Sequence, residues 1–148
     1  MTPRITVYTK VVGDLFHHGH VRFFEQARKA GDRLVVHVVS DERVAALKQR
    51  RPIMTHQERL AVIQSCRWVD EVKADGPKVI TQAFMDEHNY SKYAFSYTDE
   101  AEKQVKRNDC PDLPEHMIVT FPYTQGISTT EILRRIRHAA GNDGHRGT

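Results

Sequence analysis

The sequence predicts a doubly wound α/β domain, a parallel sheet with helices on both faces. Three observations carry that prediction. Short β-branched runs alternate with segments of helical period along the whole chain, the pattern of strands joined by crossover helices. A histidine-rich turn, GDLFHHGH at 13–20, stands between the first such run and the first helical segment, at an end of the sheet where this class of fold binds ligands. The chain has 148 residues, 39% hydrophobic and 28% charged, enough for one core that buries roughly two-thirds of the unfolded surface with no disulfide staple.

ITVYT (5–9) reads as the first strand, and HVRFFEQARKA (20–30) as a helix with Val21, Phe24, Ala27 and Arg28 on its repeat and Gly31 behind it. RLVVHVV (33–39) is the second strand and completes a βαβ unit. THQERLAVIQSC (55–66) opens on Thr55 with Glu58 three residues later, a capping box, and turns Leu60, Val62 and Ile63 inward. WVDEVK (68–73) reads as the third strand, VITQAFMDEH (79–88) as a helix, and YAFSY (93–97) and HMIVTF (116–121) as the fourth and fifth strands. The last helix, TTEILRRIRHA (129–139), is capped by Ser128 and Thr129 and aligns Ile132, Leu133 and Ile136. The stretch from 100 to 115 reads as irregular, and GNDGHRGT (141–148) as a flexible tail behind one domain over 1–140. The expected strand order is 3-2-1-4-5, so the loops after strands 1, 4 and 5 carry the site.

Composition narrows the function. A net charge of +3 is modest, and only KQRRP (48–52) is densely basic, so no basic stripe with stacking aromatics speaks for nucleic acid. No run approaches a membrane span and MTPRITVYTK has no apolar signal core. Cys66 and Cys110 form no CxxC pair, which fits a reducing compartment and a cytoplasmic location. A small anionic ligand is the expected partner.

The motif carries the chemistry. His17 and His20 lie three apart at a helix start, where free backbone N–H groups and the helix dipole attract anions. Gly19 removes a side chain where a phosphate would approach the backbone. Three readings stand: phosphate binding, a zinc site with Asp14 as the near carboxylate, and structural histidines. Zinc asks for a third and usually a fourth protein ligand.

HHGH at 17–20 has the HxGH form of the nucleotidyltransferases, and YTQGISTTEI at 123–132 is similar to the GISTT signature of cytidylyltransferases that use CTP with glycerol phosphate, phosphocholine or phosphoethanolamine. GDRLVVHVVSDE (31–42), PIMTHQERLAVIQSCRWVDEV (52–72) and FMDEH (84–88) resemble the same group in order and spacing. The resemblance implies a Rossmann-like fold and transfer of CMP from CTP, with release of pyrophosphate, Mg2+ held through the CTP phosphates rather than by protein ligands, and a homodimer with RWVDEV (67–72) near its interface. It gives His17, His20 and Lys48 the catalytic roles, stabilising charge as the α-phosphorus is attacked. It assigns Val12, Gly13, Gly19, Asp99, Tyr123, Thr124, Gly126, Ile127, Ser128 and Thr129 to the nucleotide, beside the two histidines. Asp41, Arg50, Arg51 and Lys78 fall to the acceptor. Arg67 and Asp70 match positions the group keeps, and an ion pair supporting the third strand explains them equally well.

Departures bear on substrate choice. Tyr123 stands where the signature has Arg, and SYTD (96–99) lacks the His or Met and the Gly that precede the family's acid, although Asp99 itself is placed to accept from the cytosine amino group. KVVGD (10–14) leaves Val12 only backbone contacts. Lys78 replaces an aromatic that the choline and ethanolamine enzymes carry after the proline, which removes a cation cage. The expected acceptor is therefore a small hydroxyalkyl phosphate or phosphonate, such as glycerol 3-phosphate or 2-hydroxyethylphosphonate. Phosphocholine or phosphoethanolamine, an adenylyltransferase using ATP, and a nucleotide-binding regulatory module without turnover are the alternatives.

Overall fold

The computed structural model describes residues 4–143. Its core is a five-stranded parallel sheet of order β3-β2-β1-β4-β5, as expected. The strands are β1 (Thr6–Val11), β2 (Arg33–Val38), β3 (Glu71–Lys73), β4 (Lys92–Tyr97) and β5 (Ile118–Pro122). The helices are α1 (His18–Lys29), α2 (Asp41–Lys48), α3 (His56–Gln64), α4 (Gln82–Glu87), α5 (Glu100–Arg107) and α6 (Thr129–Asp143). Strand order reverses between β1 and β4, where Tyr8 is level with Tyr93, while Thr6 to Val11 run level with Arg33 to Val38 on the other side.

Alternation along the strands divides the core in two. Leu34, Val36 and Val38 of β2 face Phe23, Phe24, Ala27 and Ile63 of α1 and α3, whereas Val35 faces Ile80, Met85, Tyr90, Cys110 and Leu113. Both faces of the sheet are thereby covered. Trp68, expected on a strand, instead precedes a third strand only three residues long and packs partly buried against the α1 side, with Arg67 over its ring at 4.5 Å.

Several boundaries differ from expectation. α2 occupies a stretch given no element from the sequence, and α5 one read as irregular chain. Each has a local cap: Ser40 accepts from Arg43 N, and Asp99 accepts from Glu102 N while Thr98 N donates to Glu102. α6 continues to Asp143, so the first three residues of the expected tail are helical, and 144–148 lie outside the described residues. Ile136 is exposed on that helix, leaving Ile132 and Leu133 as its partly buried apolar pair. Asp70 pairs with Arg28 at 3.1 Å and accepts from Leu34 N at 2.8 Å, so no Arg67–Asp70 bridge forms. Among the described residues no helix is long and apolar enough to cross a membrane.

Candidate active site

The histidine turn is held from below by a buried carboxylate. Asp14 is 4% exposed and accepts backbone N–H bonds from Ile53 at 2.8 Å, Met54 at 2.9 Å and Leu15 at 3.1 Å. Its contact with Leu15 supports a left-handed backbone at that residue, φ 48°, a conformation that costs a branched side chain roughly 1–2 kcal/mol. Gly13, at φ 70°, leaves room for Ile63, whose Cδ1 would stand 2.5 Å from a Cβ there. The Asp14 carbonyl accepts from Thr129 Oγ1 at 2.8 Å. That bond ties the start of α6 to the start of α1.

On this base the two histidines form a reciprocal cap. Gly19 N–H donates to His17 Nδ1 at 3.0 Å, and His17 N–H donates to His20 Nδ1 at 3.2 Å. An amide can only donate, so neither Nδ1 carries a proton and each neutral ring holds its hydrogen on Nε2. Burial, then the neighbouring His18, lowers the His17 pKa; burial, followed by His17, pushes His20 down to about 3. Both rings are neutral donors at physiological pH. Phe16 stacks on His20 with centroids 5.5 Å apart and fixes its plane. The His17 Nε2 lies 3.3 Å from the Tyr123 hydroxyl.

A cleft of about 560 Å³ opens above this cap. Of the residues the sequence singled out, Val12, Gly13, His20, Lys48, Arg50, Lys78, Tyr123, Ser128 and Thr129 line it, and His17 meets its wall through Tyr123. Lys48 ends α2 instead of sitting in a loop, and Gln49 behind it turns the chain with φ 59°. The cleft walls desolvate the Lys48 ammonium, and with Arg50 and Lys106 nearby its pKa lies below the usual lysine value. Ser128 caps α6 by accepting from Glu131 N at 2.9 Å. Ser128, Thr129 and Thr130 at the start of α6 thus line the cleft together.

Other assigned residues are placed differently. Gly19 packs on the His17 imidazole, where a Cβ would lie 2.8 Å from the ring, and its N–H is taken by Nδ1, so its missing side chain makes room for the histidine. Asp99 is exposed, stands outside the cleft lining, and its Oδ1 caps α5 by accepting from Glu102 N. Asp41 pairs with Arg59, 2.6 Å distant, accepts from the His56 N–H and stands outside the cleft lining. Arg51, Thr124, Gly126 and Ile127 stand outside the cleft lining. Ile127 is instead buried against Gly19.

Arg59 was not singled out from the sequence. It is fully buried and donates to the carbonyls of Val12 at 2.6 Å, Val39 at 2.8 Å and Met54 at 3.2 Å besides pairing with Asp41. One guanidinium thus joins the loops after β1 and β2 to the start of α3. An arginine on an apolar helix face was the available signal. Lys10, Arg43, Ser96, Thr98, Glu102, Lys106 and Asp109 also line the cleft, and those on α5 follow from that helix having been read as irregular.

The chain is 35% identical over 136 residues to choline-phosphate cytidylyltransferase 2 of Arabidopsis thaliana, an alignment covering 89% of this chain and 44% of that protein. It is 34% identical over 137 residues to the ethanolamine-phosphate cytidylyltransferase of the same plant, covering 89% of this chain and 32% of the relative. The chain thus spans less than half the length of either. Among solved structures, the lipopolysaccharide core biosynthesis protein from Thermoplasma volcanium GSS1 superposes with a TM-score of 0.61 at 28% identity, covering 83% of this chain and all of that one. The cytidylyltransferase-like family model matches residues 14–135, the span from the buried aspartate through the histidine cap to the start of α6, and the chain belongs to that family.

Proposed function

We propose that this protein transfers CMP from CTP to a small acceptor that bears a phosphate or phosphonate, with release of pyrophosphate. The observation that carries the reading is the pair of neutral imidazoles whose Nε2 hydrogens are set by backbone amides beside the α6 N-terminus in one cleft. An oxygen of the acceptor anion attacks the α-phosphorus, the bond from that phosphorus to the bridging oxygen breaks, and pyrophosphate leaves with the electron pair. The nucleophile is already an anion, so no base is required, and catalysis consists of alignment and charge stabilisation. His17 and His20 donate to the phosphate oxygens through Nε2, Lys48 and Arg50 offset the triphosphate charge, and the α6 amides bind along the same path.

Mg2+, when bound on the CTP phosphates, neutralises part of their charge. Asp14 already accepts three backbone N–H bonds, which fits an ion carried by the nucleotide. The proposal also takes the protein to be a cytoplasmic homodimer joined near 67–72, where β3 forms an edge of the sheet.

Two acceptor classes fit a phosphate-bearing molecule. The printed names of the relatives point to phosphocholine or phosphoethanolamine. Lys78 in the cleft lining favours the second class, the hydroxyalkyl phosphates and phosphonates, since a lysine repels an ammonium. Pyrophosphate release is the test, with CTP or ATP, Mg2+ and each acceptor in turn. Release with CTP and an acceptor is expected. Release with ATP alone makes the protein an adenylyltransferase, and binding of CTP without release under any acceptor makes it a nucleotide-binding module.

A further inference from the structure

The wall of the cleft includes His20 and Tyr123 but not His17. Between His17 and the cleft stands the Tyr123 hydroxyl, 3.3 Å from His17 Nε2, with its ring at 78° to the imidazole. Tyr123 follows directly on β5, and its N–H donates at 2.8 Å to the carbonyl of Tyr97, the last residue of β4. The hydroxyl is thus carried by the end of the sheet, and the imidazole by the cap of α1.

The direction of the bond between them follows from the cap. Gly19 N–H donates to His17 Nδ1, so the neutral ring keeps its hydrogen on Nε2 and gives it to the Tyr123 oxygen. A phenol oxygen that accepts one hydrogen bond still has its own hydrogen to give. Burial, followed by the Glu102 carboxylate, raises the Tyr123 pKa, so that hydrogen stays in place at physiological pH. With the oxygen engaged by His17, the O–H turns to the cleft. An arginine, the residue of the signature at this position, has no acceptor and would meet the His17 Nε2–H donor to donor. Tyrosine both accepts and donates.

We propose that Tyr123 is the residue that meets the phosphate in this chain, and that His17 is a positioning residue acting through it. The inference rests on the CMP-transfer reading above and adds one link to the path of the His17 hydrogen bond. Donors then run in one direction, from Gly19 N–H to His17, from His17 Nε2–H to Tyr123, and from Tyr123 O–H to a phosphate oxygen of the nucleotide. Hydrogen bonds aligned in this way polarise one another, and an O–H bond to an anionic oxygen is stronger than one between neutral groups. Charge that builds on the phosphoryl group during attack on the α-phosphorus is therefore felt back to the first turn of α1, where the helix dipole favours it. No proton changes owner along the chain. His20, which lines the cleft itself, donates directly.

Kinetics of a double variant separate a relay from two independent donors. Tyr123→Phe keeps the ring and removes the hydroxyl, and His17→Asn keeps a side-chain acceptor for the α1 cap and removes Nε2. Each is expected to lower kcat/KM for CTP in the pyrophosphate assay about 10- to 100-fold, the range for losing a hydrogen bond to a charged group. The double variant is expected to be no slower than the slower single one. Effects that multiply overturn the proposal, as does full activity in a Tyr123→Phe protein shown by circular dichroism to be folded. Imidazole 15N spectra of the full chain test the same link without turnover. CTP with Mg2+ is expected to shift the His17 Nε2 resonance in the parent and, at saturating nucleotide, to leave it in place in Tyr123→Phe. An equal shift in both proteins puts His17 in direct contact with phosphate and ends the relay, and so does the lack of any shift in the parent. Loss of the relay with pyrophosphate release intact leaves the CMP-transfer reading standing, whereas a Tyr123-dependent shift without release from any acceptor does the reverse.

Discussion

At the histidine end of the cleft the groups come from a single short stretch: His17, Gly19 and His20 bond to one another, and Asp14 accepts from the backbone of the next loop. At the far end Lys10, Arg43, Gly76 and Asp109 come from β1, α2, the loop after β3 and the chain after α5. The first end presents neutral rings whose protons are placed by amides. The second presents charged side chains resting on carbonyls. A transferred phosphoryl group needs donors that do not reorganise, which short-range hydrogen bonding provides.

The contrast is broken most severely at Arg59, because that guanidinium holds Val12 at one end and Val39 at the other. Arg59→Ala leaves Asp41 without its ion pair and is expected to destabilise the fold by about 3–5 kcal/mol, read from urea denaturation. A loss below about 1 kcal/mol shows instead that the two loops are held by other contacts. At the histidine end alone, His20→Ala is expected to lower kcat for pyrophosphate release by about 100- to 1000-fold, as for a lost preorganised donor, while the preference between acceptors stays as it was. Full activity in a folded variant removes His20 from the catalytic group.

The smallest effect sharpens the comparison through pH. Burial, then Arg43 and Lys10, depresses the His37 pKa from 6.5 to about 4. The unfolded chain takes up a proton below about pH 6.5 and the folded one does not until about pH 4. Stability from this residue is therefore complete above 6.5 and is lost as pH falls toward 4, by up to about 3 kcal/mol. Subtracting the curve of His37→Leu from that of the parent isolates it from the titrating carboxylates. A difference that stays constant from pH 7 to 4 means that His37 is accessible to solvent, contrary to its burial.

Legibility followed distance along the chain. The Thr55–Glu58 capping box and the order of strands were readable, because alternation and cap spacing are properties of a few neighbouring residues. α5 was read as irregular chain although Asp99 and Glu102 stand at cap spacing, because Asp99 was assigned to the nucleotide; its Oδ1 accepts from Glu102 N at the helix start. The partner of Asp41 had no local signal either, since Arg59 lies 18 positions away. Gly19 was read as clearing a path to the backbone, and the fold adds that its missing side chain accommodates the ring two residues before it.

What the order of residues settled is the parallel alternation of strands and helices and the pairing of His17 with His20, since both depend on hydrogen bonds and burial repeats within a turn or two of chain. The folded arrangement alone placed Tyr123 beside His17 across 106 positions and Ile53 and Met54 on Asp14 across about forty. It also brought Arg43 and Lys10 to one turn over His37. Such contacts depend on register and on the path of the loops, which emerge from packing the whole sheet and have no spacing that a reading along the chain can detect.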